Sequence, residues 1–82
     1  MTKIVVLGND YCPYCRKVVN YFKDNNIPLE YVDTESPEGA NQRKELSKKH
    51  NWNTIPMIFV NDEFVGGCND FFAKLQKGSI KL

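Results

Sequence analysis

The sequence predicts an α/β fold: one four-stranded mixed sheet flanked by three helices, in the order βαβ, α, ββ, α. Three observations predict it. Runs of β-branched and apolar residues recur at strand length, at Ile4 to Leu7, Leu29 to Val32, Met57 to Val60 and Glu63 to Val65. Between and after them, apolar residues repeat at helical spacing. The helical stretches carry start and stop signals, with proline or a hydroxyl cap in front and asparagine or glycine behind. At 82 residues the chain is expected to form a single domain over 1–82, with room for one small core and one site.

Ile4-Val5-Val6-Leu7 is apolar at consecutive positions, which suits a strand buried on both faces in the middle of a sheet. Gly8-Asn9-Asp10 breaks it. Pro13 then stands at a first helical position, where its missing N–H costs nothing. Cys15, Val18, Val19 and Phe22 fall at i, i+3, i+4 and i+7 on one helix face, and Arg16, Lys17, Asn20, Lys23 and Asp24 take the other. Asn25-Asn26 ends this helix, and Leu29 to Val32 reads as a second strand. A strand–helix–strand unit of this kind makes its two strands parallel.

Ser36-Pro37 opens a second helix by the same logic, a hydroxyl cap followed by proline. It is expected to run to about His50 with a thin apolar face from Ala40 and Leu46. Its basic residues, Arg43, Lys44, Lys48 and Lys49, read as a solvated face. Asn53 to Pro56 is a loop, and Met57 to Val60, Asn61-Asp62 and Glu63 to Val65 form a β-hairpin. Gly66-Gly67 closes it. Phe71, Phe72 and Leu75 lie on a last helix that Gly78 stops.

Composition excludes several functions. A net charge of +1 is too balanced to recruit nucleic acid or a membrane surface by bulk charge. No apolar run approaches membrane-spanning length, and nothing near the N-terminus resembles a secretory signal, so the expected compartment is the cytoplasm. Cysteine number is odd, at three, which rules out a closed disulfide framework. In a reducing compartment Cys12, Cys15 and Cys68 are expected to be thiols, metal ligands or catalysts. The chain is most simply a monomer.

Cys12-Pro13-Tyr14-Cys15 sits between a buried strand and the start of a helix. A thiol placed there faces unpaired backbone N–H groups and the positive end of the helix dipole, and both favour its anion. Arg16 and Lys17 add positive charge in the first turn, while Asp10 opposes them. The thiolate is the nucleophile of disulfide exchange. Cys12 is expected at the exposed edge of the helix and Cys15 one turn in, on the apolar face. Cys12 is therefore assigned as attacking sulfur and Cys15 as the sulfur that resolves the mixed disulfide from beneath. Against this stand two plainer readings. One is a pair of buried small hydrophobes. The other is a zinc half-site, for which only Cys68 and His50 could supply further ligands.

Two further segments carry polar or backbone groups suited to a ligand. Thr54-Ile55-Pro56 is either an ordinary strand start or a cis turn that presents the Ile55 backbone to an extended peptide-like substrate. Gly66-Gly67-Cys68-Asn69-Asp70 is either a plain glycine turn with Asn69 capping the next helix, or an α-amino-acid site. In the second reading the helix N–H groups take a carboxylate and Asp70 takes an ammonium.

Together the three motifs resemble the glutaredoxin family, in order and spacing, over nearly the whole chain. The Pro-Tyr filling between the cysteines is similar to the dithiol class and unlike the monothiol, cluster-carrying class. The resemblance implies a thioredoxin-like fold with Pro56 in cis. It implies glutathione as co-substrate and no metal. Cys12 would attack the glutathionyl sulfur of a mixed disulfide, and Cys15 would complete the reduction of protein disulfides. The cysteinyl backbone of glutathione would pair with Ile55, and its γ-glutamyl end would meet Gly67, Cys68, Asn69 and Asp70. Tyr14 and Thr54 would line the groove beside Pro56. Implied partners are glutathionylated proteins and protein disulfides, with ribonucleotide reductase among them. Two positions depart from the pattern: Asn9 and Asn53 stand where the family usually places cations for the glycine carboxylate. Arg16, Arg43 and Lys49 are the candidates to replace them. The departure keeps a second reading open, a carrier recharged by a thioredoxin-type reductase. A third reading is an iron–sulfur cluster-binding module built on Cys12.

Overall fold

β1 (Ile4–Gly8), β2 (Glu30–Asp33), β3 (Met57–Val60) and β4 (Glu63–Gly66) pair in the spatial order β2-β1-β3-β4. The computed structural model describes residues 2–80, so Met1, Lys81 and Leu82 of the expected domain lie outside the described residues. β1 runs parallel to β2, with Val6 opposite Tyr31, and antiparallel to β3, with Val6 opposite Ile58. β3 and β4 form the hairpin, whose turn residues Asn61 and Asp62 both have positive φ, at 52° and 68°.

The central pair β1 and β3 explains the consecutive apolar residues: each strand is covered on both faces. Ile4, Val6, Ile58 and Val60 join Val65 against α1 (Pro13–Asp24) and α3 (Cys68–Gln76), where Val18, Phe22, Cys68 and Phe71 complete the main core. Leu7, Met57 and Phe59 point the other way, toward α2 (Pro37–His50), with Val32, Leu46, Trp52 and Phe64 packed around them. This is the period-two alternation of a strand read on both sides. Phe22 and Phe71 are fully buried, with ring centroids 5.1 Å apart. Each contributes about 1.5–3 kcal/mol through burial. They fix α1 against α3, and hence the height at which α1 begins.

α2 starts as its sequence requires: Ser36 Oγ accepts the Gly39 N–H at 3.0 Å and donates to the Asp33 carbonyl at 2.6 Å. Its apolar face differs from the expected one. Ala40 is exposed and Gly39 is the buried residue of that turn, because the helix start lies so close to the end of β2 that a Cβ on Gly39 would overlap the Asp33 carbonyl. Leu46 does pack against the sheet.

Candidate active site

The site is built where β1 hands over to α1. Gly8 is the last residue of β1, and its carbonyl accepts both the N–H of Thr34, at 2.9 Å, and its hydroxyl, at 3.3 Å. Asn9 Oδ1 accepts the Tyr11 N–H at 3.0 Å, and the Cys12 N–H donates to the Asn9 carbonyl at 3.4 Å. These bonds turn the chain so that Cys12 becomes the N-cap of α1, with Pro13 following it.

The two thiols are held differently. Cys12 Sγ accepts the Cys15 N–H at 3.4 Å and lies 4.0 Å from the Ile55 carbonyl, to which its S–H donates. No acidic residue occupies the first turn of α1. Cys15 is fully buried beneath Cys12. Burial first, and the hydrogen bond with Cys12 second, push its thiol up to about 12. Both cysteines are free thiols.

Tyr14, Trp52, Thr54, Ile55, Pro56, Gly67, Cys68, Asn69 and Asp70 line an open groove of about 320 Å³. The fold thus brings together every residue expected to bind substrate, and the Ile55–Pro56 peptide is cis. Gly66 has φ +123°, and a side chain there would press within 2.8 Å of Asp70 Cβ, so glycine is required. One local assignment changes. The cap of α3 is Gly67, and Asn69 lies inside the first turn with its side chain exposed. The reciprocal bond comes from Asp70, whose Oδ2 accepts the Gly67 N–H at 3.3 Å. Cys68 is only 5% exposed, because α3 begins directly over the core. Burial pushes its thiol up, and Lys17 pulls it the opposite way.

Trp52 was not singled out by the sequence reading. Its ring lies against Gly67, its Nε1 is buried without a hydrogen-bond partner, and it forms one wall of the groove. The signal for it was its place two residues before Thr54. The candidate cations separate clearly. Arg43 reaches the loop next to the groove, donating from Nη2 to the carbonyl of Asn53, which stands between the groove residues Trp52 and Thr54, at 3.3 Å. Arg16 lines a cavity on the far side of α1, and Lys49 lies over the opposite face of the sheet beside Val5 and Leu7. Asn9 is engaged with Glu35 at 3.5 Å. Among the described residues, no group of three His, Cys, Asp or Glu side chains is placed to hold a metal ion, and no helix is long and apolar enough to cross a membrane.

Residues 2–65 match the family model for glutaredoxins. Glutaredoxin-1 of Rhizophagus irregularis is 32% identical over 78 residues, covering 94% of this chain and 77% of that protein. Among solved structures, the dithiolic glutaredoxin 2-C-Grx1 of Trypanosoma brucei brucei is 33% identical, with a TM-score of 0.77 over 94% of this chain and 80% of that one. A buckwheat glutaredoxin–glutathione complex superposes with a TM-score of 0.85 over 94% of this chain and 71% of that one, at 23% identity, which speaks for the thioredoxin-like fold. With the two-cysteine helix start, the groove beside it and these relatives in agreement, the chain belongs to the glutaredoxin family and is a thiol–disulfide oxidoreductase.

Proposed function

We propose that the protein reduces protein–glutathione mixed disulfides and intramolecular protein disulfides, using glutathione as the electron donor, in the reducing cytoplasm. The observation that carries this reading is the unequal pair of thiols: Cys12 at the helix cap beside the groove, Cys15 buried under it. In the first step the Cys12 thiolate attacks the glutathionyl sulfur of a mixed disulfide. A Cys12–glutathione disulfide forms, and the protein thiolate leaves and takes a proton from solvent. A second glutathione, as thiolate, then attacks the glutathionyl sulfur, forming glutathione disulfide and freeing Cys12. For an intramolecular protein disulfide, Cys12 becomes linked to one substrate sulfur. Cys15 loses its proton and attacks Cys12 Sγ, the Cys12–Cys15 disulfide forms, and the substrate leaves with both sulfurs reduced. Two glutathione molecules restore the dithiol.

The groove suits glutathione part by part. Ile55 offers its backbone to the cysteinyl residue next to Cys12 Sγ. The N-terminus of α3, at Cys68 and Asn69, offers N–H groups to the γ-glutamyl carboxylate, and Asp70 offers a carboxylate to its ammonium. Tyr14, Trp52, Thr54 and Pro56 form the walls. Arg43 is the cation for the glycine carboxylate, replacing the charges missing at Asn9 and Asn53. The complex formed by the buckwheat relative supports glutathione as the ligand class.

The test is NADPH consumption coupled through glutathione reductase, with a small glutathione mixed disulfide as substrate. The proposal expects turnover that depends on Cys12. Absence of turnover with glutathione, together with activity through a thioredoxin reductase, would favour the second reading, which rests on the uncharged Asn9 and Asn53.

A further inference from the structure

A cavity of about 600 Å³ lies on the far side of α1 from the groove and is lined by Asp10, Cys15, Arg16, Val19, Asn20, Lys23, Leu29 and Tyr31. Two of its lining residues, Cys15 and Tyr31, approach Gly8. A Cβ on Gly8 would stand 2.6 Å from Cys15 Sγ and 3.5 Å from the Tyr31 hydroxyl oxygen. The absence of a side chain at Gly8 therefore lets the buried sulfur and the tyrosine hydroxyl converge on one point. Tyr31 sits on β2 opposite Val6 and lines the cavity, and among the described residues no hydrogen bond joins its hydroxyl to Cys15 or to another side chain.

We infer that Tyr31 is a positioning residue for the resolving thiol: its hydroxyl, brought over Gly8, donates a hydrogen bond to Cys15 as that sulfur becomes a thiolate. The inference rests on the proposed two-thiol route, in which Cys15 must ionise before it attacks the Cys12 mixed disulfide. The proton passes to water in the cavity. The Cys15–Cys12 bond forms as the Cys12–substrate bond breaks, and the substrate thiolate takes a proton from solvent. The groups that act on Cys15 are Cys12 at the cap of α1, the Asn9 backbone and Cys68 on α3; Asp10, Arg16, Lys23 and Tyr31 line the cavity with it, and Asp10 and Asp33 act on Tyr31. The other two thiols oppose a negative charge on Cys15, and Arg16 and Lys23 line the cavity. The Asn9 backbone already hydrogen-bonds Cys15 and favours its thiolate, and the Tyr31 hydroxyl faces Gly8 as a second, neutral donor. Burial, and then negative charge at Cys15, push its hydroxyl up to about 12, so it keeps its proton throughout the physiological range.

The experiment compares the full-length wild type, Tyr31→Phe and a protein carrying fluorotyrosine at position 31. The last is a donor of almost the same size but greater acidity. Two rates are read: reduction of a glutathione mixed disulfide, which needs only Cys12, and reduction of an intramolecular peptide disulfide, which needs Cys15. Dithiothreitol recharges the enzyme in the second assay, so a failure of the glutathione reading is seen separately in the wild type and leaves this comparison intact. Tyr31→Phe is expected to slow the second rate about threefold to fourfold at neutral pH. That is the effect of a tenfold lower thiolate fraction, partly offset by the greater nucleophilicity of a more basic sulfur. Fluorotyrosine is expected to raise the second rate, and the first rate is expected to stay unchanged in all three proteins. Equal second rates in the three proteins, or a parallel loss of both activities, would overturn the assignment.

Discussion

On one side of α1 lies the groove, and on the other lies the cavity under Cys15. The groove side is made of loops and helix ends: the Thr54–Pro56 turn, the Gly66-Gly67 strand end and the first turn of α3. It presents backbone N–H and C=O groups and the Asp70 carboxylate, with Arg43 bonded to the adjoining Asn53 carbonyl. The cavity side is made of helix face and strand: Val19, Leu29 and Tyr31 surround a sulfur that solvent does not touch. The first arrangement holds a polar, extended ligand. The second keeps a thiol neutral until it is needed. The difference assigns the two cysteines their separate tasks, and breaking one side should leave the other readable.

The largest effect is expected at Cys12. Cys12→Ser removes the attacking sulfur and should abolish turnover on both glutathione mixed disulfides and intramolecular disulfides, measured by coupled NADPH consumption. Cys15→Ser should separate the two sides, keeping reduction of glutathione mixed disulfides and losing reduction of intramolecular disulfides. Loss of both activities in Cys15→Ser would merge roles that the structure separates.

A third expectation concerns pH. The Cys15 thiol is pushed up to about 12, so at pH 7 it is almost wholly protonated. Below that value the thiolate fraction rises about tenfold with each unit of pH. The rate for intramolecular disulfides, divided by the rate for glutathione mixed disulfides, should therefore climb between pH 7 and 9. A flat or falling ratio would contradict the buried, neutral state assigned to Cys15.

The smallest effect is expected at the rim. Arg43→Ala should raise the KM for glutathione about tenfold and leave kcat nearly unchanged, since a charge-assisted hydrogen bond contributes about 1.5–3 kcal/mol and this one is partly solvated. An unchanged KM would return Arg43 to the solvated face of α2.

The sheet and its helices were legible because local signals agreed with the fold. Ile4–Leu7 and Met57–Val60 are apolar at every position because both of their faces are covered. Pro13 and Ser36-Pro37 mark helix starts through their missing or satisfied donors. The groove residues were legible as motifs, whereas other features depend on distances between elements. Gly39 is buried where Ala40 was expected, because the separation of α2 from β2 is set by a carbonyl contact. Asp70, and not Asn69, bonds back to Gly67, because α3 begins two residues earlier than a cap at Asn69 would require. The direction of Arg43 and the position of the Trp52 ring follow from how α2 and the loop after it cross the sheet. Tyr31 and Cys15 approach Gly8 from two different elements, and neither residue reports this alone.

The most direct measurement is to trap the first intermediate. Cys15→Ser is mixed with a glutathione mixed disulfide, quenched with acid, digested, and the glutathione adduct is located by mass spectrometry. The account predicts the adduct on Cys12, with Cys68 unmodified. An adduct on Cys68 with Cys12 free would contradict the central claim that the sulfur at the helix cap is the one that attacks.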